Sequence, residues 1–152
     1  MAEKSAGILL YRSFGDAVEV LLVHPGGPFW ARKDDGAWSI PKGLIDDGEN
    51  AWEAARREFA EETGSPAPGG PPIDLGEVTL KSGKVVAGYA LRGDLDADAV
   101  VSGTFEMIWP PRSGRTASFP EVDRAGWFGL DAAAVKLNPA QTAFLDRLRE
   151  KL

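Results

Sequence analysis

Residues 43–65, which read GLIDDGENAWEAARREFAEETGS, decide the fold of this chain. Asn50 is a good helix N-cap, and Glu53 three positions later completes a capping box. Gly64 supplies the left-handed residue at which helices commonly stop. We therefore predict a helix that begins after Asn50 and ends at Gly64. The glycines at 43 and 48 fit a tight loop before that helix.

This helix carries a ridge of carboxylates. At about 100° per residue, Glu58, Glu61 and Glu62 share one face, and Arg57 lies at its edge. Like charges three or four residues apart repel each other, so the cluster needs a cation to compensate it. Mg²⁺ fits, because it takes oxygen ligands and is commonly completed by substrate phosphates. The alternative is an ordinary solvated helix face, and the spacing of the whole motif argues against it.

The spacing of the fixed residues resembles the Nudix box, the signature of hydrolases that act on nucleoside diphosphates linked to another moiety. The matching positions are Gly43, Glu49, Arg57, Glu58, Glu61, Glu62 and Gly64. One position departs, since Ser65 stands where the box usually ends with an aliphatic residue. The motif is short, so it indicates the fold and the reaction class far better than it indicates the substrate.

The resemblance implies an α+β fold, a Nudix-type α/β/α sandwich in which a mixed sheet lies between the catalytic helix and a C-terminal helix. It also implies one Nudix hydrolase domain over residues 1–152. The reaction expected is hydrolysis of a phosphoanhydride bond by water with Mg²⁺, or alternatively Mn²⁺, as cofactor. The expected metal ligands are Glu58, Glu61 and Glu62, with a backbone carbonyl of Lys42 or Gly43. Glu49 and Arg57 are expected to pair and to hold Glu58 in register.

Similar enzymes often recruit a further carboxylate from a later strand or loop, and two candidates are present. Glu106 lies in the apolar segment TFEMIW, where an unpaired charge is costly to bury. Glu121 lies in FPEVDRAGWF, which resembles the acidic segment before the last strand of many Nudix proteins. We prefer Glu106 as the further carboxylate. The alternative for Glu106 is a solvent-facing position on a strand whose side chains alternate between the two faces of the sheet. The general base stays open among Glu58, Glu106 and Glu121.

Three basic residues are candidate phosphate ligands, because Lys and Arg donate to anionic oxygens. Lys42 lies in SIPKG, and Arg112 and Arg115 lie in the PPRSGR loop. Each is also an ordinary surface charge when taken alone.

Tryptophans near the predicted loops are candidates to stack a nucleobase. Trp38 is the preferred one, beside Trp30 and Trp109, and core packing is the alternative for each. His24 is the only histidine. A lone histidine makes neither a zinc site nor a catalytic triad, so it receives no role.

The composition is that of a globular domain. The 152 residues are 43% hydrophobic and 26% charged, and they include no cysteine, which excludes disulfides and thiolate metal sites. The net charge of −6 disfavours a polymeric nucleic acid as partner. The first apolar run is broken by Arg12 and is too short for a signal peptide or a membrane span. We expect a cytoplasmic monomer or homodimer without membrane contact.

Apolar runs bounded by Gly, Pro and charged residues predict the remaining elements. Strands are predicted at residues 5–12, 17–24, 38–40, 74–80, 84–91, 100–109 and 125–130. Loops are predicted at residues 25–36, 65–72 and 110–120. Asn138 and Pro139 open a terminal helix that runs to Leu152.

For the function, the expected substrate is a dinucleoside polyphosphate or a nucleoside triphosphate. Two alternatives stay open. The first is a Nudix-fold module that binds or senses a nucleotide without cleaving it. The second is a housecleaning hydrolase of oxidised nucleotides or nucleotide sugars.

Overall fold

A computed structural model describes residues 3–152 of the chain. Its strands are β1 (Lys4–Phe14), β2 (Ala17–Pro25), β3 (Lys42–Leu44), β4 (Ile73–Thr79), β5 (Val85–Arg92), β6 (Thr104–Ile108), β7 (Thr116–Pro120) and β8 (Val122–Gly129). Its helices are α1 (Ala51–Thr63), α2 (Leu130–Lys136) and α3 (Thr142–Lys151), with short 3₁₀ turns at Ala97–Ala99 and Pro139–Gln141. Over residues 3–152, no helix has the length and apolar character that a bilayer crossing requires.

The main sheet is mixed, and β1 lies at its centre. β5 runs parallel to β1 along one edge, whereas β2 and β3 share the other edge in antiparallel orientation. β3 pairs near the start of β1, where Gly7 lies opposite Lys42, and β2 pairs near its end, where Tyr11 lies opposite Val20. The order is β4-β5-β1-β2-β8, and β6 and β7 form a separate hairpin.

Helices cover both faces of this sheet. Alternate residues of β1 point in opposite directions, so Ile8 packs with Phe59 of α1, whereas Leu9 packs with Phe144 of α3. All four side chains are almost fully buried. The predicted α+β sandwich, with a mixed sheet between α1 and a C-terminal helix, is therefore confirmed.

The predicted bounds of α1 are also correct. The side chain of Asn50 accepts a hydrogen bond from the Glu53 amide at 2.8 Å. Gly64 ends the helix in the left-handed region at φ 78°, and its N–H donates to Ala60 at 2.9 Å. Local capping chemistry thus sets the two ends of this helix.

Two predicted elements are wrong, and one helix was not predicted. The strand expected at 38–40 makes only isolated bridges, and β3 instead follows Pro41, whose carbonyl accepts from the Ile8 N–H at 3.1 Å. The loop expected at 110–120 contains β7, which forms by pairing with β6. Helix α2 was not expected, because its N-cap Gly129 has no side chain to signal a helix start.

Candidate catalytic site

The carboxylate ridge of α1 faces β3 across a very short gap. A Cβ atom at position 43 would overlap the Glu58 carboxylate, so only glycine allows this approach. The next residue back, Lys42, donates its backbone N–H to Glu62 Oε1 at 3.2 Å. β3 and α1 therefore hold Glu58 and Glu62 against the backbone of residues 42 and 43.

Arg57 organises the exposed side of the ridge. Its Nε and Nη2 bind both oxygens of Glu49, each at 2.8 Å, and its Nη1 binds Glu58 Oε1 at 2.7 Å. Glu61 lies 3.3 Å from the same Nη1, and the Leu44 carbonyl accepts from Nη2 at 2.9 Å. The guanidinium lowers the pKa of Glu49 to about 2 and ties the loop before α1 to the ridge.

Burial sets the electrostatics on the inner side. Desolvation raises the pKa of Glu62 to about 8 and also raises the pKa of Glu58. The negative charge of Glu121 makes a smaller contribution to both shifts, so Glu121 lies within electrostatic range of Glu58 and Glu62. Burial lowers the pKa of Lys42, although the charges of Glu62 and Glu58 oppose that effect.

Glu121 reaches this cluster through backbone hydrogen bonds. It lies between β7 and β8, where its N–H donates to Gly103 at 2.9 Å and its carbonyl accepts from Gly26 at 3.0 Å. Gly103 in turn donates to the carbonyl of Glu61 at 3.3 Å. Residue 103 therefore joins the end of α1 to Glu121.

Glu106 is not brought to the cluster. It lies on β6 opposite Ser118, and alternation turns Phe105 and Met107 inward while Glu106 is exposed. This is the solvent-facing position that the sequence left open as the alternative. The sequence pattern of β6 alone did not show which face of the strand is exposed to solvent.

Two neighbouring cavities open beside the ridge. The carboxylate cavity, of about 120 Å³, is lined by Glu62, Glu121 and Lys42 among others. The tryptophan cavity, of about 220 Å³, is lined by Trp30, Trp38 and Lys42 among others. Pro25 and Ser39 also line both. The two cavities are therefore adjacent, with Lys42 between them.

The remaining predicted binding residues lie in different settings. Arg112 and Arg115 are exposed on the turn between β6 and β7 and line neither cavity. Trp38 lines the tryptophan cavity but is buried, its Nε1 donates to Asp34 at 2.8 Å, and the ring of Phe128 packs edge-on 5.0 Å away. The structure thus places Lys42, and not the two arginines, at the centre of the site.

The carboxylates of the site have the donor chemistry of a hard divalent cation. As they stand, no three His, Asp or Glu side chains within residues 3–152 converge on one point. Arg57 holds Glu58 and Glu61, and the Lys42 amide holds Glu62. The Glu58 carboxylate rests against the backbone of Gly43, where a Cβ atom would overlap Oε2.

Gly43→Ala tests this close packing. The added methyl group must displace the Glu58 carboxylate, so we expect turnover to fall about tenfold. Gly69→Ala is the matched control, because a Cβ at position 69 meets nothing within 4 Å. Neither Gly43 nor Gly69 has a positive φ, so the two variants differ in the overlap and not in backbone strain. Steady-state kinetics of the two variants would contradict the packing argument if both lost activity equally.

Comparisons with known proteins identify relatives of this chain. A bis(5'-nucleosyl)-tetraphosphatase of Caenorhabditis elegans is 39% identical over 62 residues, which are 41% of each chain. An 8-oxo-(d)GTP phosphatase of Mycolicibacterium smegmatis is 32% identical over 146 residues, 88% of this chain and 37% of the relative. Each match therefore spans less than half the length of these curated relatives.

A solved structure supports the fold independently. A crystal structure of a C. elegans Ap4A hydrolase binary complex aligns with a TM-score of 0.68 and 21% identity, over 97% of this chain and 96% of that one. At this identity the likeness concerns the fold alone. The family model described as NUDIX domain matches residues 1–148. The capped helix, its carboxylate ridge and these matches together show that the chain belongs to the NUDIX domain family.

Proposed function

We propose that this protein hydrolyses a phosphoanhydride bond of a nucleotide with the help of a divalent cation. The observation that carries the proposal is the juxtaposition of Glu58, Glu62 and Glu121 beside Lys42, at one end of an open cleft. Carboxylates that repel one another are costly where burial removes them from water, as it does in part for Glu58 and Glu62, even though Arg57 binds Glu58 and Glu121 is exposed. A catalytic metal site explains why the chain keeps them together.

In this proposal Glu58, Glu61 and Glu62 bind the cation, Mg²⁺ or Mn²⁺, with a backbone carbonyl of Lys42 or Gly43. When bound, the cation would activate water and neutralise charge on the phosphates. Arg57 does not touch the substrate in this scheme. It is a positioning residue that fixes the carboxylates through its bonds to Glu49 and Glu58.

Lys42 is proposed to bind the substrate phosphates. Its residue is partly buried, lies near Glu62 and Glu58, and lines both cavities. An ammonium group in that position offsets the negative charge that the substrate brings to an acidic site. The exposed Arg112 and Arg115 are not needed for this step.

We propose Glu121 in place of Glu106 as the carboxylate from outside the helix. Glu121→Gln is expected to lower turnover at least about tenfold, since it removes a base or ligand from the cluster. Glu106→Gln is the matched control and should leave turnover within about twofold, because exposed residues away from a site tolerate change. Initial rates with one substrate decide the matter, and equal losses in the two variants would refute the assignment.

The proposed substrate is a dinucleoside polyphosphate or a nucleoside triphosphate. The named C. elegans relative acts on a bis(5'-nucleosyl) tetraphosphate, and its match supports the first of these. The test is a panel of diadenosine tetraphosphate, ATP and 8-oxo-dGTP with Mg²⁺ or Mn²⁺ in ¹⁸O water. Labelled products identify the phosphorus attacked. Heat of binding without any product would instead indicate a nucleotide-binding module.

A further inference from the structure

The tryptophan cavity lies outside the carboxylate ridge, and the proposed chemistry does not use it. Its volume of about 220 Å³ is smaller than the roughly 300–1,000 Å³ of typical small-molecule sites. It nevertheless adjoins the carboxylate cavity, because Pro25, Ser39 and Lys42 line both. A molecule with its phosphates at Lys42 would therefore extend into the tryptophan cavity.

Trp30 is the aromatic side chain of this cavity that remains accessible. Its residue is 40% exposed, whereas Trp38 is only 5% exposed and already packs against other rings. The Nζ of Lys33 lies 5.2 Å from the centroid of the Trp30 ring, so a cation already sits over the indole. Single exposed apolar side chains are common, but one at the rim of a cavity that leads to a phosphate-binding lysine offers a stacking surface.

The loop that carries Trp30 is held in place at several points. Both ring nitrogens of the buried His24 are engaged, by Asp123 at 2.8 Å and by the Lys33 carbonyl at 2.6 Å. Lys136 binds Asp34 and Asp35 at 2.6 and 3.0 Å. The loop that carries Trp30 is therefore ordered before a ligand arrives, which reduces the conformational entropy lost on binding.

Polar groups at the inner wall differ in their availability. Both ends of the Gln141 amide are used, since Oε1 accepts from the Ile40 N–H at 3.0 Å and Nε2 donates to Ser39 Oγ at 3.0 Å. Asn138 accepts from the Ala140 N–H through Oδ1 at 3.0 Å. That bond uses the amide oxygen, so the Asn138 NH₂ group can donate a hydrogen bond to the edge of a planar ring in the cavity.

We propose that the tryptophan cavity is the nucleobase subsite, in which the base stacks on Trp30 while the phosphates reach Lys42. The inference rests on the proposed nucleotide hydrolysis and adds which part of the chain holds the base. It also moves the stacking role expected for Trp38 to Trp30, because Trp38 has no accessible face.

The test measures the binding of AMP by calorimetry in metal-free buffer. AMP has a base and a phosphate but no phosphoanhydride bond, so the measurement does not depend on catalysis. Trp30→Ala should weaken AMP binding about tenfold, and Trp30→Phe should retain most of the affinity. Phe29→Ala is the matched control, because Phe29 is the neighbouring exposed aromatic and does not line the cavity. Ribose 5-phosphate, which lacks the base, should bind the wild type and Trp30→Ala alike.

With a hydrolysable nucleotide, Trp30→Ala should raise KM and leave kcat nearly unchanged. Equal AMP affinities in the wild type and Trp30→Ala would overturn the subsite, as would an equal loss in Phe29→Ala. If AMP binding depends on Trp30 but no nucleotide is hydrolysed, the subsite stands and the hydrolase proposal fails. If nucleotides are hydrolysed but Trp30→Ala changes neither KM nor AMP affinity, the hydrolase proposal stands and the subsite fails.

Discussion

Glu62→Gln is expected to lower turnover roughly a hundred- to thousand-fold, because a cation ligand supplies several kcal/mol of transition-state stabilisation. The glutamine keeps the size of Glu62 and an oxygen that accepts from the Lys42 N–H, so the fold should survive. What it loses is the negative charge that binds a hard cation. Initial rates at saturating Mg²⁺, together with a circular dichroism melt, separate the two effects.

Glu53→Gln is the matched control for this experiment. Glu53 lies on the same helix but is exposed, and glutamine preserves the capping interaction of its backbone N–H with Asn50. We expect its turnover to equal that of the wild type. Wild-type turnover in Glu62→Gln, with normal folding, would eliminate the carboxylate ridge as the catalytic element.

Arg57→Ala is expected to lower activity about 10–100-fold, the usual effect of removing a residue that orients metal ligands. The change releases Glu49, Glu58 and Glu61 at once, and their mutual repulsion should splay them apart. The Mg²⁺ concentration needed for half-maximal rate should rise as well, which a merely structural role would not produce. Arg57→Lys should recover little, since lysine cannot bind Glu49 with two parallel hydrogen bonds.

Arg56→Ala provides the comparison. Arg56 is the preceding residue on α1, and it donates to the carbonyls of Ala67 and Pro68 in the connector after the helix. Its loss should affect stability more than the Mg²⁺ dependence. An unchanged Mg²⁺ requirement in Arg57→Ala would show that Arg57 does not position the ligands.

The sequence predicted those features that depend on neighbours along the chain. The bounds of α1 follow from Asn50, Glu53 and Gly64, which act within one turn of the helix. The approach of Gly43 to the ridge belongs to the same short motif. The order of side chains on the helix face then follows from its geometry.

Features that depend on distant pairing were not predictable in this way. β7 forms only because β6 lies beside it, and its residues have no strong strand pattern of their own. Glu121 reaches the ridge because Gly103 binds both Glu121 and Glu61 through their backbones. Backbone bonds of this kind leave no signature in the side chains, so the sequence did not show that Glu121 lies nearer to the ridge than Glu106.

The shared edge of β1 has a consequence for how selectivity can change. Because β2 and β3 pair with the same edge of β1, residues 26–41 form a connection that leaves that edge and returns to it. Backbone hydrogen bonds fix both ends, from the Gly26 N–H to the Glu121 carbonyl and from the Ile8 N–H to the Pro41 carbonyl. A connection fixed at both ends can change in length or sequence while α1 keeps its position. On the proposal that the tryptophan cavity holds the base, exchanging the exposed part of this stretch between relatives should change which nucleotide is bound and leave α1 unchanged, whereas the buried Trp38 and Ile40 must be kept.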